Sequence, residues 1–216
     1  MARRNKYLML AVATVTLAAI AGGGWLLLRP ETASEMSAKP TMEVVTRTTD
    51  SPSESKSAAQ SYGWKGAAAD PKKIIMPSIG VDAFIQNMGV DQHKEVAAPS
   101  NIHLAGWFVD SVRPGQRGLS IIDGHVNGRT EKDAVFAGLA KLKPGDFFTV
   151  IRGDDAELRY KVMNSKTVVL AKVPDILYSQ DPSIRSQLNL ITCGGAFDRA
   201  SQEYASRTVV TAALQQ

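Results

Sequence analysis

Hydrophobic and polar positions divide the chain into three stretches. Residues 7–28 carry no charged side chain, residues 31–70 are dominated by Ser, Thr, Ala, Lys and Glu, and from Pro71 onward short apolar runs alternate with turn residues. We therefore expect a cytoplasmic start and membrane anchor over residues 1–29, a linker over residues 30–70 and one folded domain over residues 71–216.

The uncharged stretch is long enough for a transmembrane helix. At a rise of about 1.5 Å per residue, residues 7–28 reach roughly 33 Å, enough to cross a bilayer core of about 30 Å. Arg3, Arg4 and Lys6 precede it, which predicts that the N-terminus stays in the cytoplasm and the remaining chain lies outside. A signal peptide cleaved near Ala18, Ala19 and Ala21 is the alternative, but signal peptides have apolar cores of only about 7–15 residues. Either interpretation exports the folded domain.

The linker has too few large apolar residues to offset the entropy of an ordered chain. It is therefore expected to be a disordered tether, which would hold the domain a few nanometres from the membrane.

The folded domain is predicted to be all-β. Val135, Phe136, Leu139 and Leu142 have helix-like spacing within residues 134–142, and residues 173–177 open a short helix or loop. The remaining apolar runs have the length of strands and lie between Gly, Pro or Asp turns, at residues 73–76, 79–86, 118–125, 147–151, 158–162, 167–170, 188–191 and 207–212. About eight short strands with little helix favour a single eight-stranded β-barrel, or a sandwich, with short helices.

Charge and cysteine content narrow the function classes. The net charge is +4, and Lys and Arg are scattered along the chain, so a nucleic-acid face is not indicated. The single cysteine excludes an intramolecular disulfide framework and a cysteine-cluster metal site. We expect no cofactor.

Cys193 is the candidate nucleophile. An apolar run leads to it and Gly194 and Gly195 follow, so the strand is expected to end there with open space beyond the thiol. The alternative is a buried structural cysteine, because cysteine is among the most buried residue types.

A thiol with a pKa of about 8.5 needs a base to become a nucleophile at neutral pH. His93 lies in a polar segment and His103 borders an apolar patch, so a loop role and a structural role fit them better. His125 follows a buried-type strand with a glycine nearby on each side, which makes it the candidate acid and base.

Negative charge on an attacked carbonyl oxygen requires a fixed donor. Arg199 lies in a polar loop, whereas Arg207 opens the last predicted strand. A guanidinium on a strand is more easily aimed than one on a loop, which favours Arg207 without deciding between them.

These residues together resemble the sortase family. The resemblance comprises Leu190-x-Thr192-Cys193, Arg207 fourteen residues later (207 − 193 = 14), the upstream Gly124-His125, and the segments 135–139 and 142–146. It covers about residues 73–213 and extends to the anchor and linker. The sequence is most similar to the short, actinobacterial-type class E or F members.

The resemblance implies an eight-stranded barrel and a cysteine transpeptidase that cuts a Leu-Pro-x-Thr-Gly-like (LPxTG-like) sorting signal between Thr and Gly. Cys193 would form the thioester, His125 would act as acid and base, Arg207 would stabilise the oxyanion or orient the substrate, and Thr192 would line the oxyanion site. An amine of peptidoglycan or of a pilin would resolve the thioester in a Gram-positive-type envelope. Asn189 departs from the family, which often has Thr there. No calcium site is carried over.

Two other interpretations remain open. An L,D-type wall transpeptidase places cysteine in a Ser-x-Gly-Cys context, whereas Thr192 precedes Cys193 here. A membrane-tethered binding module with a buried Cys193 would have no catalytic role.

Overall fold

The computed structural model describes residues 43–49, 51–91, 96–198 and 203–215. The predicted anchor lies outside these ranges. Within them, no helix is both long and apolar enough to span a bilayer.

Eight strands and two short α-helices make up the described chain. The strands are β1 Pro71–Met76, β2 Val81–Met88, β3 Ala105–Phe108, β4 Gly118–Gly124, β5 Phe147–Arg152, β6 Glu157–Val169, β7 Ser186–Asp198 and β8 Glu203–Leu214. The helices are α1 Lys56–Gln60 and α2 Val173–Leu177, and 3-10 turns span Pro77–Ile79, Leu139–Lys141 and Leu170–Lys172.

The strands close into a barrel in the order β1-β2-β3-β4-β7-β8-β6-β5. β2 with β3 and β4 with β7 are parallel pairs, and all other neighbours are antiparallel. The predicted all-β, eight-stranded barrel with short helices is therefore confirmed for the described domain. Residues 167–170 do not form a separate strand, because β6 continues through a bulge between Val162 and Asn164.

The core fills the barrel interior with alternate residues of the strands. Phe148 and Tyr160 stack there at 5.5 Å between ring centroids, and Trp107 is 2% exposed. The segment predicted as a helix packs Val135, Phe136 and Leu139 against the same core, but forms only a 3-10 turn. Its spacing therefore reflects burial, while Pro144, which follows shortly, prevents the helix from extending.

The predicted linker is wrong for residues 51–70, which pack on the barrel. Ser55 caps α1 by accepting a 3.2 Å hydrogen bond from the Ala58 N–H. Ser53 donates its N–H to Ser100 O and accepts from the Ile102 N–H, both at 2.9 Å. We call residues 51–61 the strap. Backbone hydrogen bonds hold the strap, so its order could not be predicted from its low content of apolar residues.

Asp70 joins this N-terminal segment to β1 through a buried carboxylate. Its side chain is fully buried, and it accepts 2.6 Å and 2.8 Å hydrogen bonds from Arg113 Nε and the Ala67 N–H. Arg113 keeps 42% of its side chain exposed, so the pair is only half shielded from water.

Arg113→Ala is expected to lower the free energy of unfolding by about 2–3 kcal/mol, because it leaves the buried Asp70 carboxylate without its cation. Urea unfolding measures this value. The double variant Asp70→Asn with Arg113→Ala should recover part of the loss. Equal stability of the single and double variants would show that the ion pair is not the cause. Lys72→Ala, which breaks an exposed ion pair with Asp155, is the control and should change stability by less than about 0.5 kcal/mol.

Candidate active site

Cys193 lies within β7 and not at its end. β7 continues to Asp198, and Cys193 pairs with Arg207 on β8. The register shifts between Gly194 and Phe197, where Gly195 has a φ of 76°. The prediction that the strand ends at the glycines is therefore wrong: glycine can adopt the left-handed backbone of a bulge, so the hairpin continues past it. Arg207 likewise lies inside β8 and does not open it.

The register of the sheet brings the three candidate residues into one row. β4 and β7 pair in parallel with a constant offset, as in Asp123 with Ile191 (191 − 123 = 68). The same offset carried past the end of β4 aligns His125 with Cys193 (125 + 68 = 193). Cys193 is in turn the partner of Arg207. His125, Cys193 and Arg207 therefore lie side by side on three neighbouring segments of the sheet, which are spaced about 4.8 Å apart.

This row lies on the outer face of the barrel. Ile122, Leu190 and Val210 point into the main core, while the alternate residues Ile121 and Val209 pack outside against α2. Because side chains alternate between faces, Cys193 and Arg207 share the outer face with Val209. Cys193 is partly exposed there.

His125 is held by the backbone of the segment that precedes β3. Its Nε2 lies 2.8 Å from Pro99 O, and a carbonyl can only accept, so Nε2 carries a proton. In the neutral ring Nδ1 is then the acceptor. Burial lowers the pKa of His125 below its usual value, and the hydrogen bond to Pro99 opposes that shift with a smaller effect. The ring therefore favours the neutral form, which can accept a proton.

Thr192 links β7 to the residue before His125. Its side chain is buried, and its hydroxyl donates a 2.6 Å hydrogen bond to Gly124 O. The hydroxyl therefore fixes the end of β4 beside the middle of β7. Its expected part in the oxyanion site stays a prediction.

Arg207 is held along its own strand. Its Nη1 donates to the carbonyls of Tyr204 at 3.2 Å and Ser206 at 3.1 Å. These bonds hold Nη1 along β8, the strand on which Arg207 pairs with Cys193. Arg199 and His93 lie outside the described residues, so the choice between the two arginines also stays a prediction.

Glu54 of the strap is a contributor that sequence reasoning missed. Its carboxylate accepts the N–H groups of Arg129, Thr130 and Glu131 and the Thr130 hydroxyl, just after His125 in the chain. These bonds lower the pKa of Glu54 to about 2. The strap also pairs with residues 100–102, next to Pro99. The strap therefore holds the backbone both before His125, at residues 100–102, and after it, at residues 129–131. In the sequence, Glu54 does not differ from the other acids of the polar linker.

Two amides on β7 fix the connection from β6. Asn189 donates to Leu177 O at 2.7 Å, and Gln187 donates to Ser179 O at 2.8 Å. Gln187 also accepts from the Asp181 N–H at 2.8 Å. Asn189, the departure from the family pattern, thus attaches the end of α2 to the sheet near the candidate site.

A cavity of about 480 Å³ opens beside the thiol. Its walls include Val126, Lys132, Phe136, Gly194, Tyr204 and Thr208. A larger cavity of about 770 Å³, which includes His103, lies between α1 and β2 and contains none of the candidate catalytic residues. In the part of the chain that the structure describes, no three His, Cys, Asp or Glu side chains are grouped to hold a metal ion.

Comparison with known proteins identifies the family. The family model described as a sortase domain matches residues 74–215. The chain belongs to the sortase family. A lid mutant of sortase A from Corynebacterium diphtheriae superposes with a TM-score of 0.52 at 21% identity, over 70% of this chain and 73% of that one. No curated protein matches the sequence.

Sortases of a second type have the same fold. Sortase C2 of group B Streptococcus pilus island 1 gives a TM-score of 0.51 at 20% identity, over 70% of this chain and 77% of that one. Sortase C-1 from Actinomyces oris gives a TM-score of 0.51 at 24% identity, over 68% of this chain and 74% of that one. At these identities the likeness establishes the fold alone. Membership of the family supports a cell-wall transpeptidase, whereas the predicted class E or F assignment stays a prediction.

Glu54→Gln is expected to loosen the backbone after His125, because an amide holds the N–H groups of residues 129–131 more weakly than a carboxylate. Hydrogen exchange at these amides should accelerate by roughly tenfold. The pKa of Glu54 is about 2 when folded and 4.5 ordinarily, so its contribution to stability is present above pH 4.5 and disappears as the pH falls towards 2.

The variant should therefore lose less stability than the wild type over that pH range, as measured by urea unfolding. The matched control is Glu43→Ala, which removes an exposed acid paired with Lys65. If the exchange rates of residues 129–131 stay unchanged in Glu54→Gln, the strap does not hold this loop.

Proposed function

We propose that the chain is a membrane-anchored cysteine transpeptidase that cleaves an LPxTG-like sorting signal between Thr and Gly. It would transfer the released protein to an amine of the cell wall or of a pilin. The observation that carries this proposal is the single row formed by His125, Cys193 and Arg207 on the outer face. Such a row offers a nucleophile, a base and a cation to one carbonyl group.

In the first half-reaction Cys193 Sγ bonds to the Thr carbonyl carbon and the thiol proton passes to His125. Nδ1 is the acceptor, because Nε2 already donates to Pro99 O. Arg207 stabilises the negative oxygen of the tetrahedral intermediate. The C–N bond then breaks, and His125 returns the proton to the leaving glycine amine, leaving a thioester on Cys193.

In the second half-reaction an amine attacks the thioester. His125 takes a proton from the amine, the C–S bond breaks, and the proton goes to Cys193 Sγ. The products are a new amide and the original thiol, so the enzyme is regenerated without a cofactor.

The outer face next to Cys193 is suited to the apolar part of a sorting signal. Partly buried side chains from β3, β4, α2 and β7 form an apolar surface around Ile121 and Val209. These side chains are Phe108, Leu119, Val173, Ile176 and Ile191. Leu and Pro of the signal could bury apolar area there, while the 480 Å³ cavity on the other side of the thiol would admit the amine.

The site of action is proposed from the N-terminal sequence. Arg3, Arg4 and Lys6 would keep the N-terminus in the cytoplasm, residues 7–28 would cross the membrane, and the catalytic domain would lie outside in a Gram-positive-type envelope. The sortase match favours this enzyme over an L,D-type transpeptidase. The remaining alternative is a non-catalytic tethered binding module.

Cys193→Ala is expected to reduce cleavage of a quenched Leu-Pro-Glu-Thr-Gly peptide to background, because no other thiol is present in the chain. Mass spectrometry of the wild type with the peptide should show the thioester adduct on Cys193. In the folded wild type, iodoacetamide should alkylate Cys193 without denaturant. Protection of the thiol until denaturation would support the binding-module alternative and contradict the enzyme.

Arg207→Ala is expected to lower kcat by roughly 10²–10³-fold, the effect of removing one oxyanion donor. Arg207→Lys should recover only part of the rate, because an ammonium lacks the planar fork of the guanidinium. Arg199→Ala is the control and should remain close to the wild type. An inactive Arg199→Ala beside an active Arg207→Ala would reverse the assignment.

A further inference from the structure

Asp123 is a buried acid that has no part in the reaction proposed for His125, Cys193 and Arg207. It lies on β4 two residues before His125, and its Oδ1 is buried without a hydrogen-bond partner among the described residues. Burial raises the pKa of Asp123 well above its usual value, so the carboxyl favours the protonated form. The residue as a whole is still partly exposed, so it is not sealed inside the barrel.

The neighbouring strand leaves space for this carboxyl. Asp123 pairs with Gly106 on β3, and a Cβ at Gly106 would collide with Asp123 Oδ1 and with Met88 Cγ. Pro99, which holds His125, borders the same space at 3.1 Å from that Cβ position. Asp123 therefore lies against the segment that positions the His125 ring. Only a glycine at position 106, opposite Asp123, leaves room for the carboxyl group there.

The register puts Asp123 in the row next to the nucleophile. Its partner on β7 is Ile191, and Cys193 follows two residues later on the same outer face. Two residues of a strand span about 6.6 Å. A peptide whose carbonyl carbon sits at Cys193 Sγ and whose preceding residues run over Ile191 would therefore pass beside Asp123, which lies on the neighbouring strand about 4.8 Å away.

No side chain in the row that crosses the sheet at Asp123 supplies a partner for its carboxyl group. Along the row the residues are Gly106, Ile191 and Val209, none of which has a polar side chain. A buried polar group without a partner destabilises a protein, and a ligand that supplies the partner removes that penalty. An extended peptide presents a carbonyl oxygen in every residue, whatever its sequence.

We propose that the Asp123 carboxyl binds the sorting peptide through a hydrogen bond to a backbone carbonyl, within the two residues that precede the scissile bond. This inference rests on the proposed transpeptidase function, because it needs the acyl-donor peptide on the outer face. Asp123 is then a substrate-binding residue that fixes the peptide before Cys193 attacks.

The test compares the full chain in detergent as wild type, Asp123→Ala, Asp123→Asn and Ser120→Ala, with the quenched Leu-Pro-Glu-Thr-Gly peptide as the probe. Ser120 is the matched control, because its hydroxyl is also buried without a partner on β4 but faces the barrel interior. KM, kcat and the thermal unfolding midpoint are measured for each protein.

Asp123→Ala should raise KM by roughly three- to tenfold with kcat within about twofold, the loss of one neutral hydrogen bond made in substrate binding. Asp123→Asn keeps an N–H donor and should restore KM to within about threefold of the wild type. Both alanine variants should unfold at a higher temperature, and only Asp123→Ala should change KM.

An unchanged KM in Asp123→Ala would overturn the inference and make Asp123 a purely structural residue. A KM in Asp123→Asn as high as in Asp123→Ala would also overturn it, because it would show that the charge and not the donor matters. Absence of both wild-type cleavage and the Cys193 thioester would instead overturn the proposed function, and the inference with it.

Discussion

The parallel pairing of β4 with β7 is the constraint on which the candidate site depends. Its offset of 68 residues is also the separation of His125 and Cys193, so the hydrogen bonds that close the barrel align the two residues. The Thr192 hydroxyl strengthens that alignment by bonding Gly124 O, one residue before the ring. A slip of one residue would turn every outer side chain of β7 inwards and separate the thiol from its base.

Much of the support for His125 comes from outside the strands. Pro99 O fixes the protonated nitrogen of the ring, and Glu54 fixes the backbone that follows it. Glu54 belongs to the strap, and Pro99 immediately precedes residues 100–102, with which Ser53 of the strap pairs. The family match begins at residue 74, so the strap with Glu54 precedes the matched region, whereas Pro99 lies within it. The segment before the barrel therefore helps to hold the backbone around the candidate site.

Sequence patterns predicted the barrel and the residues of the candidate row, but not their geometry. Strand-length apolar runs and turn residues identified most strands, because burial alternates along them. The order of strands, and hence the register of Cys193 with His125, depends on pairing between distant residues and leaves no local signal. The strap was missed because backbone hydrogen bonds hold it, and β7 was predicted too short because glycine signals a bulge as well as an end. Asp123 carried no signal, since its lack of a partner is a property of the folded chain.

Because the candidate site lies on the outside of the barrel, different residues of the same strands form the core and the site. Even-numbered positions of β7, such as Leu188 and Leu190, fill the core, while the odd-numbered positions Ile191 and Cys193 lie partly exposed on the outer face. A substitution at an outer position can therefore change what the surface accepts without opening a cavity in the core. This division gives evolution, or a protein engineer, a set of positions at which selectivity can change while the packed core of the barrel stays intact.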